Sequence, residues 1–147
     1  MATKATSHVP PGLSPVVPQL VIAGAQKALD LFGEALGAET LHAMPGPKGS
    51  IMHAMIKIGD ATLFVSDSSE FAHPTSANNF IYVKDVDALY ARATKAGFKV
   101  LSPLTNMFWG DRWALLADPF GNQWQIATHV EDVTPEEMQK RVAALPK

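Results

Sequence analysis

Two stretches of this chain carry the same succession of strand and helix signals, and a tandem repeat of this kind constrains the fold more than any single motif. In the first stretch, residues 16–23 read as a buried strand. Residues 26–36 read as a helix, because Ala25, Leu29, Phe32 and Leu36 recur at helical spacing and Gly37 supplies a left-handed stop. Residues 39–44 read as a further strand, PGPKGS at 45–50 is turn chemistry, and residues 51–58 and 62–66 flank Gly59-Asp60 as a hairpin. In the second stretch, residues 80–83 form a strand and Asp85 can cap a helix over 86–96, whose Val86, Leu89, Ala93 and Ala96 give an apolar stripe ahead of Gly97. Residues 99–103 resemble the short third element, and residues 113–117 and 123–128 flank DPFGN as a second hairpin. Aligning Ile22 with Val83 gives an offset of 61 residues and Gly59 with Gly121 gives 62, so the halves match with about one residue of slippage. The fold class is therefore α+β, with two repeated β-α-β-β-β modules. Neither half, at roughly 60 residues, readily buries its sheet alone. The two should pack as a pair, and the cleft between them is the place to look for function.

A last helix is expected at about 134–144. Thr134-Pro135-Glu136-Glu137 has the spacing of a capping box with proline at the first helical position, and Val133 and Met138 are placed as a hydrophobic staple. With 147 residues, one domain is expected over 15–147, behind a loose arm at 1–14: module one at about 15–70, module two at about 76–130, then the helix. The balance of 12 Lys plus Arg against 14 Asp plus Glu leaves no basic footprint for nucleic acid. The absence of cysteine excludes disulfides, thiolate zinc sites and a cysteine nucleophile. No stretch approaches the roughly 20 apolar residues of a membrane span, and MATKATSHVPPGLSP has no signal-peptide core. The expectation is a cytoplasmic protein without membrane or nucleic-acid partners.

All three tryptophans fall within residues 108–129. Alternation assigns Trp124 to the core, whereas Trp109, beside Gly110 in a connection, reads as a lid or pocket wall. Asp111 and Arg112 supply ion pairs or an anion contact, and Asp118 bonds the amides of its own turn. Asn78, Phe80 and Tyr82 share one face of the fifth strand, and Gln19 and Val21 share the corresponding face of the first. Of the five histidines, His8, His42, His53, His73 and His129, no pair has the short spacing of a zinc motif. His53 and His129 lie on cleft-forming strands, His129 on the face of Gln125, and together with Tyr82 they are the candidate catalytic groups. The ligand-binding candidates are Gln19, Asn78, Phe80, Tyr82, Trp109 and Gln125. Such a mixture of aromatic rings and amides suits a neutral or weakly polar small organic ligand.

The segments MPGP at 44–47, IMHA at 51–54, FWGDR at 108–112, DPFG at 118–121, and IATH at 126–129 followed by EDVTPEEM at 131–138 resemble the PhnB-like branch of the vicinal oxygen chelate superfamily. That superfamily includes glyoxalases, extradiol dioxygenases and the bleomycin and fosfomycin resistance proteins. The resemblance covers nearly the whole chain. It implies curved mixed sheets around a small-molecule cleft, commonly in a homodimer, and, in metal-dependent members, a divalent ion held by His, Gln or Glu at four equivalent places. Carried onto this chain, those places are Val17, Leu63, Asn78 and Gln125. Two aliphatic side chains and two neutral amides make a poor site for zinc, nickel or iron. The expectation is a small-molecule binding protein without cofactor or metal, sequestering a drug or metabolite. The alternative is a glyoxalase-type lyase, isomerase or dioxygenase with a divalent metal as cofactor.

Overall fold

The helical spacing seen in the first repeat puts Ala25, Ala28, Leu29, Phe32, Ala35 and Leu36 on one buried face of α1 (Ala25–Leu36), and Gly37 ends it at φ 69°. In the computed structural model, which describes residues 1–147, this helix follows β1 (Gln19–Ile22) and precedes β2 (Glu39–Pro45), β3 (Ile51–Ile58) and β4 (Ala61–Asp67). The second module repeats the order as β5 (Asn78–Tyr82), α2 (Val86–Lys95), β6 (Lys99–Asn106), β7 (Asp111–Ala117) and β8 (Gln123–His129), and α3 (Pro135–Ala143) follows. Each module forms one four-stranded mixed sheet. The orders are β1-β4-β3-β2 (sheet A) and β5-β8-β7-β6 (sheet B), with β1–β4 and β5–β8 parallel and the other pairs antiparallel. No helix is long and apolar enough to cross a membrane.

The register locates the slippage in the repeat. Ala54 pairs with Val65 and Ala114 with Ile126, so the second β-hairpin holds one more residue than the first, and the extra residue lies in the DPFGN turn. Four strands begin or end two or more residues away from the sequence reading. Strand β1 begins at Gln19 rather than 16, because Pro18 has no N–H to donate; only its carbonyl joins the ladder, accepting from Phe64 N at 2.9 Å. Strand β5 covers 78–82 rather than 80–83. Strand β6 runs through Pro103 to Asn106, which an edge strand tolerates, with two register shifts on the way. Strand β7 begins at Asp111, two residues early, and this moves Asp111 out of the expected connection and onto a sheet. At α3, Thr134 accepts from Glu137 N at 3.2 Å, whereas the Glu137 carboxylate accepts from Arg141 Nε at 3.1 Å instead of closing the box.

One core serves both modules. A cluster of 21 buried residues joins α1 and sheet A to α2 and sheet B, and the Phe32 ring meets Trp124 edge-on at 5.3 Å and Phe120 at 6.1 Å. Arg92 of α2 adds a polar tie, donating to the carbonyls of Gly33 and Glu34 at the end of α1. The last strand of each module also holds its own helix. Asp67 accepts from the amides of Gly24, Ala25 and Ile51, and at the equivalent place Thr128 accepts from Val86 N and donates to Val83 O. Burial pushes the Asp67 carboxyl up, but these three amide donors outweigh it and hold it below the usual carboxylate value. The helix-bearing face of each sheet thus turns into the shared core and the opposite face stays open.

Candidate functional site

The open face of sheet B gathers most of the candidate residues, because strand alternation fixes which side chains share a face and register fixes which stand side by side. Tyr82, Ala127 and Trp113 stand abreast across β5, β8 and β7; Phe80, Gln125 and Leu115 form the next row, and His129 faces Asp111 beyond. Ala127, between Tyr82 and Trp113, is buried. Phe80 lies 4.9 Å from Tyr82, and Trp109 packs edge-on against Trp113 at 5.7 Å.

At one end of this aromatic surface is Asp111, 1% exposed. Its Oδ2 accepts from Tyr82 OH and from Trp109 Nε1, both at 2.8 Å, and its Oδ1 accepts from His129 Nδ1 at 2.9 Å. Burial alone pushes this carboxyl up. The bonds from His129, Tyr82 and Trp109 together outweigh that and hold it below the usual carboxylate value, and the same carboxylate pushes the Tyr82 hydroxyl up. The second ring nitrogen of His129 meets Asp132 Oδ1 at 2.7 Å. Asp111 first, and then Asp132, raise the His129 pKa. A ring that donates from both nitrogens is an imidazolium with no lone pair left, so in this arrangement His129 anchors the cluster rather than accepting a proton.

Gly110 permits the turn into this cluster. Its φ is 104°, and a Cβ there would collide with the Glu131 carbonyl; the Gly110 carbonyl in turn accepts from Val130 N and Glu131 N.

A groove of about 680 Å³ opens where the edge strand β5 meets the β3–β4 turn and residues 12–18. It takes in Asn78, Phe80 and Tyr82, and the open face continues from it across β8 and β7. The volume lies in the range of small-molecule sites. Asn79 Nδ2, on the groove wall, is buried without a hydrogen-bond partner.

The other candidates lie elsewhere. Gln19 and His53 are on sheet A; Gln19 Nε2 donates to Ser66 Oγ at 3.2 Å, and His53 packs edge-on against Phe64 at 4.6 Å. Leu63 is corrected outright. It is 8% exposed in the shared core, and Phe64, whose partner Gln19 matches the Phe80–Gln125 pair, holds the open-face place equivalent to Gln125. The error follows from the one-residue difference between the turns, since counting from the turn glycine shifts the strand by one and swaps its faces. Asp111 and Arg112 do not act together, because neighbours on a strand point to opposite faces: Arg112 makes a bidentate pair with Asp87, at 2.8 and 2.9 Å, on the helix side. Asp118 bonds its turn amides as expected and also takes Trp124 Nε1 at 2.9 Å. Trp113 and the three-donor role of Asp111 were not anticipated, although the alternation of Asp111, Trp113 and Leu115 carries the signal once β7 is extended.

No three His, Asp or Glu side chains converge as an ion-binding group anywhere in the chain. Of the four places at which related folds hold an ion, Val17 and Phe64 offer no ligand atom, and Asn78 and Gln125 offer neutral amides.

The family described as the Glyoxalase/Bleomycin resistance protein/Dioxygenase superfamily matches residues 13–126, and the chain belongs to it. Protein Mb0911c of Mycobacterium bovis, itself uncharacterized, is 34% identical over 148 residues, covering 93% of this chain and 95% of its own. Among solved structures, TioX from Micromonospora sp. ML1 is 28% identical with a TM-score of 0.69, over 80% of this chain and 99% of its own. TnmS3, an antibiotic binding protein from Streptomyces sp. CB03234, is 28% identical with a TM-score of 0.62, over 86% of this chain and 99% of its own. The PhnB protein from Bacillus cereus shares the fold at 16% identity and a TM-score of 0.59, over 78% of this chain and 99% of its own.

Proposed function

We propose that this protein binds a small organic molecule without a metal ion and sequesters it rather than transforming it. The observation that carries this reading is the composition of the open face of sheet B: an aromatic surface, a neutral amide at the usual ion-holding place, and a carboxylate whose two oxygens are already occupied by three protein donors. Catalysis of the glyoxalase type needs a charge-stabilising ion or a free base, and on sheet B the one histidine, His129, has both ring nitrogens bonded to carboxylates. The antibiotic-binding description of TnmS3 supports the same reading.

The protein works as a homodimer in this proposal. Phe80 is 43% and Tyr82 61% exposed on one open face, and Met44 is 44% exposed on the other. A second copy seating its sheet A over sheet B would close the site and remove these apolar groups from water. Elemental analysis of protein purified without chelator, run alongside sedimentation velocity, tests both parts. The expected result is a dimer with less than about a tenth of an equivalent of any transition metal. A stoichiometric ion would overturn the metal-free reading, and a monomer at about 100 µM, well above the micromolar constants of weak dimers, would overturn the closure.

A further inference from the structure

We infer that the ligand of sheet B is a flat aromatic molecule carrying a carbonyl-type hydrogen-bond acceptor, and that Gln125 Nε2 is the group that binds this acceptor; the inference rests on the small-molecule reading above. The argument is an account of which polar atoms on the face are still free. Tyr82 OH and Trp109 Nε1 are both spent on Asp111, as is one nitrogen of His129. Trp113 Nε1 donates to Gln125 Oε1 at 3.0 Å.

That last bond fixes the amide. An indole nitrogen can only donate, so Gln125 must turn its oxygen toward Trp113 and its NH2 away from it, which removes the usual ambiguity of a side-chain amide. The two Nε2 hydrogens make no bond to the protein. Nε2 is also not among the buried, unpartnered atoms, so it is reached from the open side. Gln125 stands in the middle strand with Phe80 and Leu115 on either side, one row from Tyr82 and Trp113. A ring system lying over Gln125 has Phe80 beside it and the row of Tyr82 and Trp113 next to it, and places an in-plane substituent over a half-buried donor. The Gln125 oxygen already carries Trp113, the Asp111 oxygens carry three protein donors, and the Tyr82 oxygen is at the exposed rim. The two free donor hydrogens of Gln125 therefore favour a ligand that brings an acceptor.

Fluorenone and fluorene, rigid tricycles that differ by one carbonyl, test this by isothermal titration of the full chain. Gln125→Glu is the informative variant, because the carboxylate retains an oxygen for Trp113 while losing both amide hydrogens. The wild type is expected to bind fluorenone about tenfold more tightly than fluorene, the range of one neutral hydrogen bond. Gln125→Glu and Gln125→Met should each abolish that preference, read as the ratio of fluorenone to fluorene affinity within the same variant, whatever either does to binding of both probes. Trp113→Leu should weaken both probes. If the wild type binds both equally, or if the Gln125 variants keep the preference, the acceptor inference is wrong while the small-molecule reading stands. If neither probe binds, both fall.

Discussion

Asp111→Asn replaces one of two oxygens of a carboxylate that is 1% exposed and holds three donors. The remaining carbonyl oxygen stays with Trp109 Nε1, which can only donate, and with Tyr82 OH. The new NH2 then faces His129 Nδ1, where two N–H groups oppose each other unless the ring loses its proton or swings away. A hydrogen bond to a charged group contributes about 1.5–3 kcal/mol and a neutral one about 1. The variant loses one charge-assisted bond and weakens two others. Against this, the exposed Tyr82 and His129 regain water, and a buried amide is easier to desolvate than a carboxylate. A net loss of about 2 kcal/mol follows, which for a domain of this size is roughly 4–8 °C in Tm. Urea unfolding at fixed protein concentration measures the loss, and NMR titration of the imidazole reports the partner, whose pKa should fall toward about 6.5. A destabilisation below about 0.5 kcal/mol, within the range of ordinary surface changes, together with an unmoved His129 titration would refute the account of this cluster.

Trp124→Ala empties the contact between the modules and should cost about 3–5 kcal/mol by thermal unfolding; a loss no larger than that of an exposed substitution would mean the two sheets do not share a core. Gly110→Ala forces a Cβ toward the Glu131 carbonyl at a φ of 104°, so a loss of at least about 2 kcal/mol in urea is expected, and a neutral result would mean the turn is placed wrongly. The His129 pKa is raised in the folded state, so its contribution to stability is complete below about 6.5 and is lost as the pH rises through the raised native value. Urea midpoints of the wild type should decline across that window, and His129→Gln should flatten the decline; an unchanged slope in the variant would assign it to another group.

The repeat, and hence the pairing of two β-α-β-β-β modules, was legible because helical and strand periodicities are local properties of the chain. The caps were legible for the same reason: Asp85 accepts from Ala88 N, and Thr134 holds the start of α3. Alternation along single strands correctly grouped Asn78, Phe80 and Tyr82 on one face, and likewise Gln125 with His129, since side-chain direction in a strand depends only on parity. Tertiary structure decided what parity cannot. The position of Leu63 turned on one residue in a hairpin, and the start of β7 turned on the pairing of Asp111 with His129 across strands. The bond set of Asp111 joins Trp109, two residues back in the adjoining turn, to Tyr82 and His129, which only strand register brings within reach. Sequence thus specified the elements and their faces through local sterics and hydrophobic spacing, whereas the meeting of Tyr82 and His129 at Asp111 arose from long-range strand pairing, whose energy no local stretch contains.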